Sequence, residues 1–333
     1  MKPLLGCSMG DPAGVGPQIL LRSATELETA DCLLIGDAAV FAKHAELAGL
    51  DPGCFCVVDG IDALRSARHG GDRGPWVLPC TAAEGFRAGH PQRTLGGAVL
   101  ESIDRGAALA SDGEVDALVT APVNKDLIAV VEPRFRGHTE YLAERAGVTT
   151  PIMLFAGPRP HIALLTTHLP TATAISLIRA DVVETMLRAL HARWSSCFGR
   201  TPAIGVAALN PHAGEQGRLG TEEARVLYPA IAATRADSID ARGPYPADSI
   251  FLRPELDVVL ALYHDQGTIL AKRAPWPTVN LTLGLPYIRT SPDHGTAYDV
   301  AASGKADHRP MLAAMELAAE LATGGRLRTH PSS

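Results

Sequence analysis

The sequence predicts an α/β protein: a sheet of buried strands with helices on both of its faces. Short, wholly apolar runs such as Val258-Val259-Leu260-Ala261-Leu262-Tyr263 have the length and composition of buried strands. Between such runs lie stretches of helical periodicity, one of which sets Val183, Leu187, Leu190 and Trp194 on a single face. Polar clusters begin one step past several of the strand-like runs. In sheets covered on both faces, ligands sit just beyond the carboxyl ends of the strands.

With 333 residues, the chain is long enough for two ordinary domains or one large one. Hydrophobic residues make up 46% and charged residues 20%, a balance that permits a sizeable core and argues against global disorder. A formal net charge of −6 argues against nucleic acid as a partner. No apolar run approaches the roughly 20 residues that span a bilayer. Met1-Lys2-Pro3-Leu4-Leu5-Gly6 moves straight into a strand-like segment without a signal-peptide layout, so the expectation is a soluble, cytoplasmic protein. The six cysteines, Cys7, Cys32, Cys54, Cys56, Cys80 and Cys197, lack zinc-finger spacing and are expected as free thiols.

In chain order, Leu4 to Met9 reads as a first buried strand. It runs into Gly10-Asp11-Pro12-Ala13-Gly14-Val15-Gly16-Pro17 and a helical Gln18-Ile19-Leu20-Leu21. A glycine-rich turn here is read two ways, as an anion-binding loop or as a tight structural turn, because the spacing is not G-x-G-x-x-G. Cys32 to Gly36 is a second strand and Ala38 to Leu47 a small helix. Residues 51–93, rich in Gly, Pro and Arg, are expected to be peripheral. Leu95 to Ala110 is helical, with Val99, Ile103, Ala107 and Ala110 on one stripe, and Ala117-Leu118-Val119-Thr120 is a strand. Past it stands Lys125, either an anion ligand or an ordinary helix-start lysine. Thr139 is expected to cap the helix that follows Gly137-His138, with His138 either facing a phosphate or lying on the surface.

Three further strands each end in a histidine: His161 to Thr167 leads to His168, Ala203 to Leu209 to His212, and Val258 to Tyr263 to His264. Three imidazoles at equivalent places describe a catalytic Zn²⁺, Co²⁺ or similar divalent site. Thr221 is expected to cap a helix with Glu222 and Glu223 in its first turn. Lys272, Asn280 and Arg289 supply groups for an anion. Pro310 starts a last helix, and the tail from Arg326 to Ser333 is expected to fray.

Gly10 to Pro17, Thr120-Ala121-Pro122-Val123-Asn124-Lys125, Gly137-His138-Thr139-Glu140, Thr167-His168-Leu169-Pro170 and Asn210-Pro211-His212-Ala213-Gly214-Glu215 together resemble one family. Gly243 to Asp248, Tyr263-His264-Asp265-Gln266-Gly267, Asn280 to Pro286, Arg289-Thr290-Ser291 and Asp293 to Ala297 extend the likeness. The family is 4-hydroxythreonine-4-phosphate dehydrogenase, of vitamin B6 biosynthesis. The resemblance implies an isocitrate/isopropylmalate-dehydrogenase-like, two-lobed α/β/α fold. Residues 1–130 with 285–333 would form one lobe, and 131–284 the other, carrying the metal and substrate motifs. It implies NAD or NADP, a divalent metal (Zn, Co or Mg), and a homodimer with a shared active site. His168, His212 and His264 would hold the metal, His264 coming from the partner subunit. His138, Thr139, Lys272, Asn280 and Arg289 would bind a small phosphorylated hydroxy acid. Lys272 or Asp248 would move the proton. No residue is assigned to the nicotinamide cofactor, because the first turn lacks the dinucleotide fingerprint.

The implied reaction oxidises 4-hydroxythreonine 4-phosphate to 2-amino-3-oxo-4-phosphobutanoate, with loss of CO₂ from that β-keto acid to follow, towards pyridoxal phosphate. Two departures bear on the substrate: Gln216 stands where the family usually has Gly, and Arg273 to Val279 is Pro- and Trp-rich. The same chemistry on D-threonate or D-erythronate 4-phosphate, or on an aromatic cis-dihydrodiol dicarboxylate, is the nearest alternative. A phosphate acyltransferase would need no metal, and a non-catalytic phosphate-binding protein would turn nothing over.

Overall fold

Twelve strands are found among the described residues, 2–72, 74–157, 159–273 and 278–324, of this computed structural model. They are β1 (Leu4–Ser8), β2 (Asp31–Gly36), β3 (Cys56–Val57), β4 (Trp76–Pro79), β5 (Ala117–Thr120) and β6 (Ile152–Ala156). The others are β7 (His161–Leu164), β8 (Ile204–Ala207), β9 (Ala241–Tyr245), β10 (Val258–Ala261), β11 (Val279–Leu283) and β12 (Ile288–Pro292). The α/β class is as expected. The chain forms two compact units, Met1–Thr149 with Leu285–Gly325, and Thr150–Gly284. The expected fraying of the tail from Arg326 concerns residues outside the described ones.

In the first unit the strand order is β3-β4-β2-β1-β5-β12, all parallel. Its central strands β1, β2 and β5 are apolar along nearly their whole length, as strands buried on both faces must be. The helix Gly96–Ser111 buries Val99, Ile103, Ala107 and Ala110, the expected stripe. Two expectations change here. Residues 51–93 are not peripheral throughout: β4 puts Trp76, Val77 and Leu78 in the core, each at most 1% exposed. A strand of four residues next to Gly and Arg is too short to show a period. The helix His138–Arg145 also belongs to this unit, because Phe135, Tyr141 and Leu142 share a core with Leu118 and Ile128. His138 and Thr139 therefore lie in the first unit.

The first turn is buried from Gly10 to Gly16. Gly10 has φ 73°, and a Cβ on it would lie 2.6 Å from the Pro122 carbonyl oxygen. The Asp11 N–H donates to that same carbonyl at 3.0 Å, and the Val15 N–H to Thr296 at 2.9 Å. These amides are spent inside the protein, so the tight structural turn is what the loop forms.

In the second unit the order is β11-β6-β7-β10-β8-β9, antiparallel at β11-β6-β7 and parallel beyond. Every residue of β10 is fully buried. The helix Ala180–Phe198 buries Val183, Leu187, Leu190 and Trp194 as its periodicity predicts. All six cysteines are free thiols, and no helix among the described residues is long and apolar enough to cross a membrane.

His161, which opens β7, is 3% exposed and lies against Trp194 and Phe198, with ring centroids 5.6 and 6.3 Å away. Burial, assisted by Arg159, pulls its imidazole down to about 4. The unfolded chain binds this proton near the ordinary value of 6.5, so folding stability is whole above that pH and falls as pH drops towards 4. Urea titrations from pH 7.5 to 4.5 should show this loss, and it should shrink in His161→Phe. An equal slope in both proteins would contradict the assignment.

Candidate functional site

The three histidines each stand past the tip of a buried parallel strand in the second unit: His168 after β7, His264 after β10 and His212 after β8. Side chains clamp these tips together. Thr166 donates its hydroxyl to the Leu262 carbonyl at 2.9 Å, tying β7 to β10. Gln266 accepts the Leu262 N–H at 2.7 Å and donates to the Ala208 carbonyl at 2.8 Å, tying β10 to β8. The helix His264–Ala271 starts at once because Gly267 allows it to lie close on the sheet. A Cβ there would come within 2.7 Å of Ile162.

His168 and His264 meet at ring centroids 5.7 Å apart, inclined at 43°. They line a cavity of about 170 Å³ with Thr167, Leu169, Thr171, Ala174, Tyr263 and Asp265. Asp265 lies 2.7 Å from His264 Nδ1, with the Thr268 hydroxyl at 3.3 Å. A carboxylate on Nδ1 fixes the tautomer that leaves Nε2 as a ligating atom. The resemblance takes His264 from the partner subunit, whereas here it stands beside His168 of the same chain.

His212 is not among the residues lining this cavity. Among the described residues no three His, Cys, Asp or Glu side chains group to hold one metal ion. Its segment is unusual: His212, Ala213, Gly214, Glu215 and Gln216 are consecutively left-handed, with φ between 42° and 77°. Each of the four bearing side chains costs about 1–2 kcal/mol relative to the right-handed form. Gln216, the departure from the family pattern, thus stands where glycine would carry no such strain. Asp248 lies exposed on the turn after β9. Lys272 closes the helix that His264 opens, and Asn280 lies on β11 with its Oδ1 buried and without a partner. Of the Pro- and Trp-rich stretch, Ala274 to Pro277 lie outside the described residues.

The remaining expected ligands sit in the first unit. Arg289, on β12, is 3% exposed, and burial lowers its guanidinium to about 10. Its Nε donates to the Thr120 hydroxyl at 3.1 Å, and Nη2 donates to the same oxygen. His138 is the first residue of its helix. Its Nε2 is buried without a partner, and burial, then the charges of Arg289 and Lys125, hold it well below the ordinary histidine value. It is therefore neutral, able to give or take one hydrogen bond. Thr139 does not cap the helix: Gly137 occupies that place, and Thr139 is buried within the first turn. Lys125 is exposed behind Asn124, whose side chain caps by accepting the Asp126 N–H at 3.0 Å.

Thr221 makes no cap either. A π-helical turn, Glu223–Leu227, opens that segment, and Glu223 is 3% exposed, holding the loop of His212. The sequence named Glu223 and Gln266 but not these roles, because their partners are groups just past the ends of β8 and β10, brought to them by the fold. The one visible hint was a glutamine beside a strand-end histidine.

The sequence matches the family described as "Pyridoxal phosphate biosynthetic protein PdxA" over residues 28–318. It is 41% identical to the 4-hydroxythreonine-4-phosphate dehydrogenase of Chromobacterium violaceum, over 96% of this chain and 97% of that protein. The Klebsiella pneumoniae 4-hydroxythreonine-4-phosphate dehydrogenase structure superposes with a TM-score of 0.84 at 33% identity, covering 97% of this chain and 98% of that one. A terephthalate 1,2-cis-dihydrodiol dehydrogenase from Burkholderia xenovorans superposes at 0.65 with 27% identity, covering 98% and 100%. Fold and relatives define an α/β dehydrogenase that acts on a CH–OH group. Within that class the chain belongs to the PdxA family of pyridoxal phosphate biosynthesis.

Gln266→Ala leaves the Leu262 N–H and the Ala208 carbonyl without their partner. Each unmet buried group costs about 1–3 kcal/mol, so the urea midpoint should fall clearly. An unchanged midpoint would mean that the clamp contributes nothing.

Proposed function

We propose that this chain oxidises 4-hydroxythreonine 4-phosphate with NAD or NADP to 2-amino-3-oxo-4-phosphobutanoate, and that this β-keto acid then loses CO₂ to leave a three-carbon amino ketone phosphate, in the cytoplasmic route to pyridoxal phosphate. Membership of the family implies a nicotinamide cofactor and a divalent metal in general, without specifying either. The observation that carries the reading is the pair of imidazoles, His168 and His264, at a cavity beyond the strand tips. Imidazole donors backed by a carboxylate suit Zn²⁺ or Co²⁺, and with more oxygen ligands Mg²⁺. His212 would complete the set. A cation bound there supplies Lewis acidity.

The chain's own groups do the rest. Arg289, already dehydrated, gains most from an arriving phosphate or carboxylate, since an anion offsets the cost of its burial. Neutral His138 offers its buried Nε2 to a substrate polar atom, and Thr139, Lys272 and Asn280 supply further contacts. Lys272 or Asp248 would take the hydroxyl proton, and NAD or NADP, when bound, would supply the hydride acceptor. The carboxylate then leaves as CO₂, and its C–C bond pair stays on the adjacent carbon.

The likeness to the terephthalate cis-dihydrodiol enzyme favours one second reading, the same chemistry on an aromatic cis-dihydrodiol dicarboxylate. D-threonate or D-erythronate 4-phosphate would use the same groups. A phosphotransacetylase from Streptococcus pyogenes superposes with a TM-score of 0.51 at 12% identity, which reaches the fold alone. Acyl transfer and passive phosphate binding both fail to explain the imidazole pair. Absorbance at 340 nm with each substrate and either nucleotide, with and without chelator, separates these readings. Chelation or His168→Ala should lower kcat by about a hundredfold, and Arg289→Lys should raise substrate KM about tenfold. Full turnover after exhaustive chelation would remove the metal from the reaction.

A shared active site in a homodimer is part of the proposal. Ile269 and Leu270, 65% and 43% exposed, lie on the helix that His264 opens. Large apolar side chains beside a site point to a covering surface. Sedimentation at micromolar concentration should give a dimer, and a monomer with full activity would refute sharing.

A further inference from the structure

The left-handed turn from His212 to Gln216 is a strained arrangement that persists only where its surroundings over-determine it. Those surroundings converge on Glu223. Its carboxylate, on a residue 3% exposed, takes the Leu209 N–H at 3.0 Å and the Asn210 N–H at 2.8 Å on Oε1. Oε2 takes the Asn210 side-chain amide at 2.9 Å, and the other Asn210 contact goes to Glu222 at 2.8 Å. A Cβ on Gly214, the middle of the turn, would lie 2.8 Å from the same Oε2. One carboxylate thus holds the entry to the turn by hydrogen bonds and lies close against its centre.

We propose that Glu223 is the positioning residue for His212: it fixes the end of β8 and the left-handed turn so that the imidazole is presented in one orientation. This rests on the reading of His212 as a metal ligand. A carboxylate suits the task because it only accepts, and three N–H donors face it. Glutamine would turn an amide donor towards one of them, and an apolar residue would leave all three unmet. Distortion of this kind behind a ligand weakens metal binding rather than abolishing the fold.

The test is titration of the full-length, metal-stripped protein with Co²⁺, followed by its visible d–d absorption, with thermal unfolding measured alongside. Glu223→Gln should weaken Co²⁺ binding at least about tenfold and alter the absorption bands. Asn210→Ser, which keeps the backbone bonds and loses the amide contact, should weaken it by less. Asp257→Asn is the control for loss of stability alone. That carboxylate pairs with Arg200 at 2.7 Å beside the amino end of β10, so the variant should lower Tm and leave Co²⁺ affinity unchanged. If His212→Ala weakens Co²⁺ binding while Glu223→Gln affects it no more than Asp257→Asn does, the positioning role is overturned and the ligand reading stands. If His212→Ala changes nothing, the ligand reading falls and this inference with it.

Discussion

The side-chain clamp across the tips of β7, β10 and β8 is the constraint on which the rest of the second unit depends. Where a parallel strand ends, its last amides and carbonyls lose their neighbours, yet they remain buried and need partners. Thr166 and Gln266 supply them, and in doing so hold three loops in register. The histidines follow those tips by only a few residues. Rigid strands and their terminal hydrogen bonds thus determine where the imidazoles stand, and flexible loop sequence has little freedom to place them. The meeting of His168 and His264 is a consequence of that geometry.

The first unit works from a different balance. A guanidinium removed from water is costly, and Arg289 is kept on β12 by a fully buried threonine hydroxyl at the end of β5. Beside it, His138 has lost its proton to the combined effect of burial and two cations. A neutral imidazole next to a dehydrated cation gives a place that discriminates by charge, favouring anions and penalising cations.

Much of this was legible in the amino-acid order, and the parts that were not share a cause. β5, β7, β8 and β10 are buried strands, so they read as largely apolar runs, and the histidines that follow the last three stood out. β9 is Ala-Arg-Gly-Pro-Tyr and β12 is Ile-Arg-Thr-Ser-Pro, which carry charge and proline for reasons of tertiary contact and show no strand pattern. Thr139 and Thr221 look like helix caps by local rules, and tertiary packing overrides both. Glu223 looked like a residue answering a helix dipole, and its real partners lie 13 and 14 positions earlier in the chain. The resemblance to a family assigned three histidines to a metal. It did not foresee that His168 and His264 would be neighbours within one chain, or that His212 would ride on a left-handed turn.

The division of the chain has a consequence for its biogenesis. β5 ends at Thr120, but the strand that pairs with it, β12, begins at Ile288, and the helix packed on β12 runs from Arg309. As the polypeptide leaves the ribosome, everything from Thr150 to Gly284 emerges before those closing pieces are made. The inserted unit can therefore fold while the earlier one still waits with an open sheet edge, a state in which chaperone protection matters most.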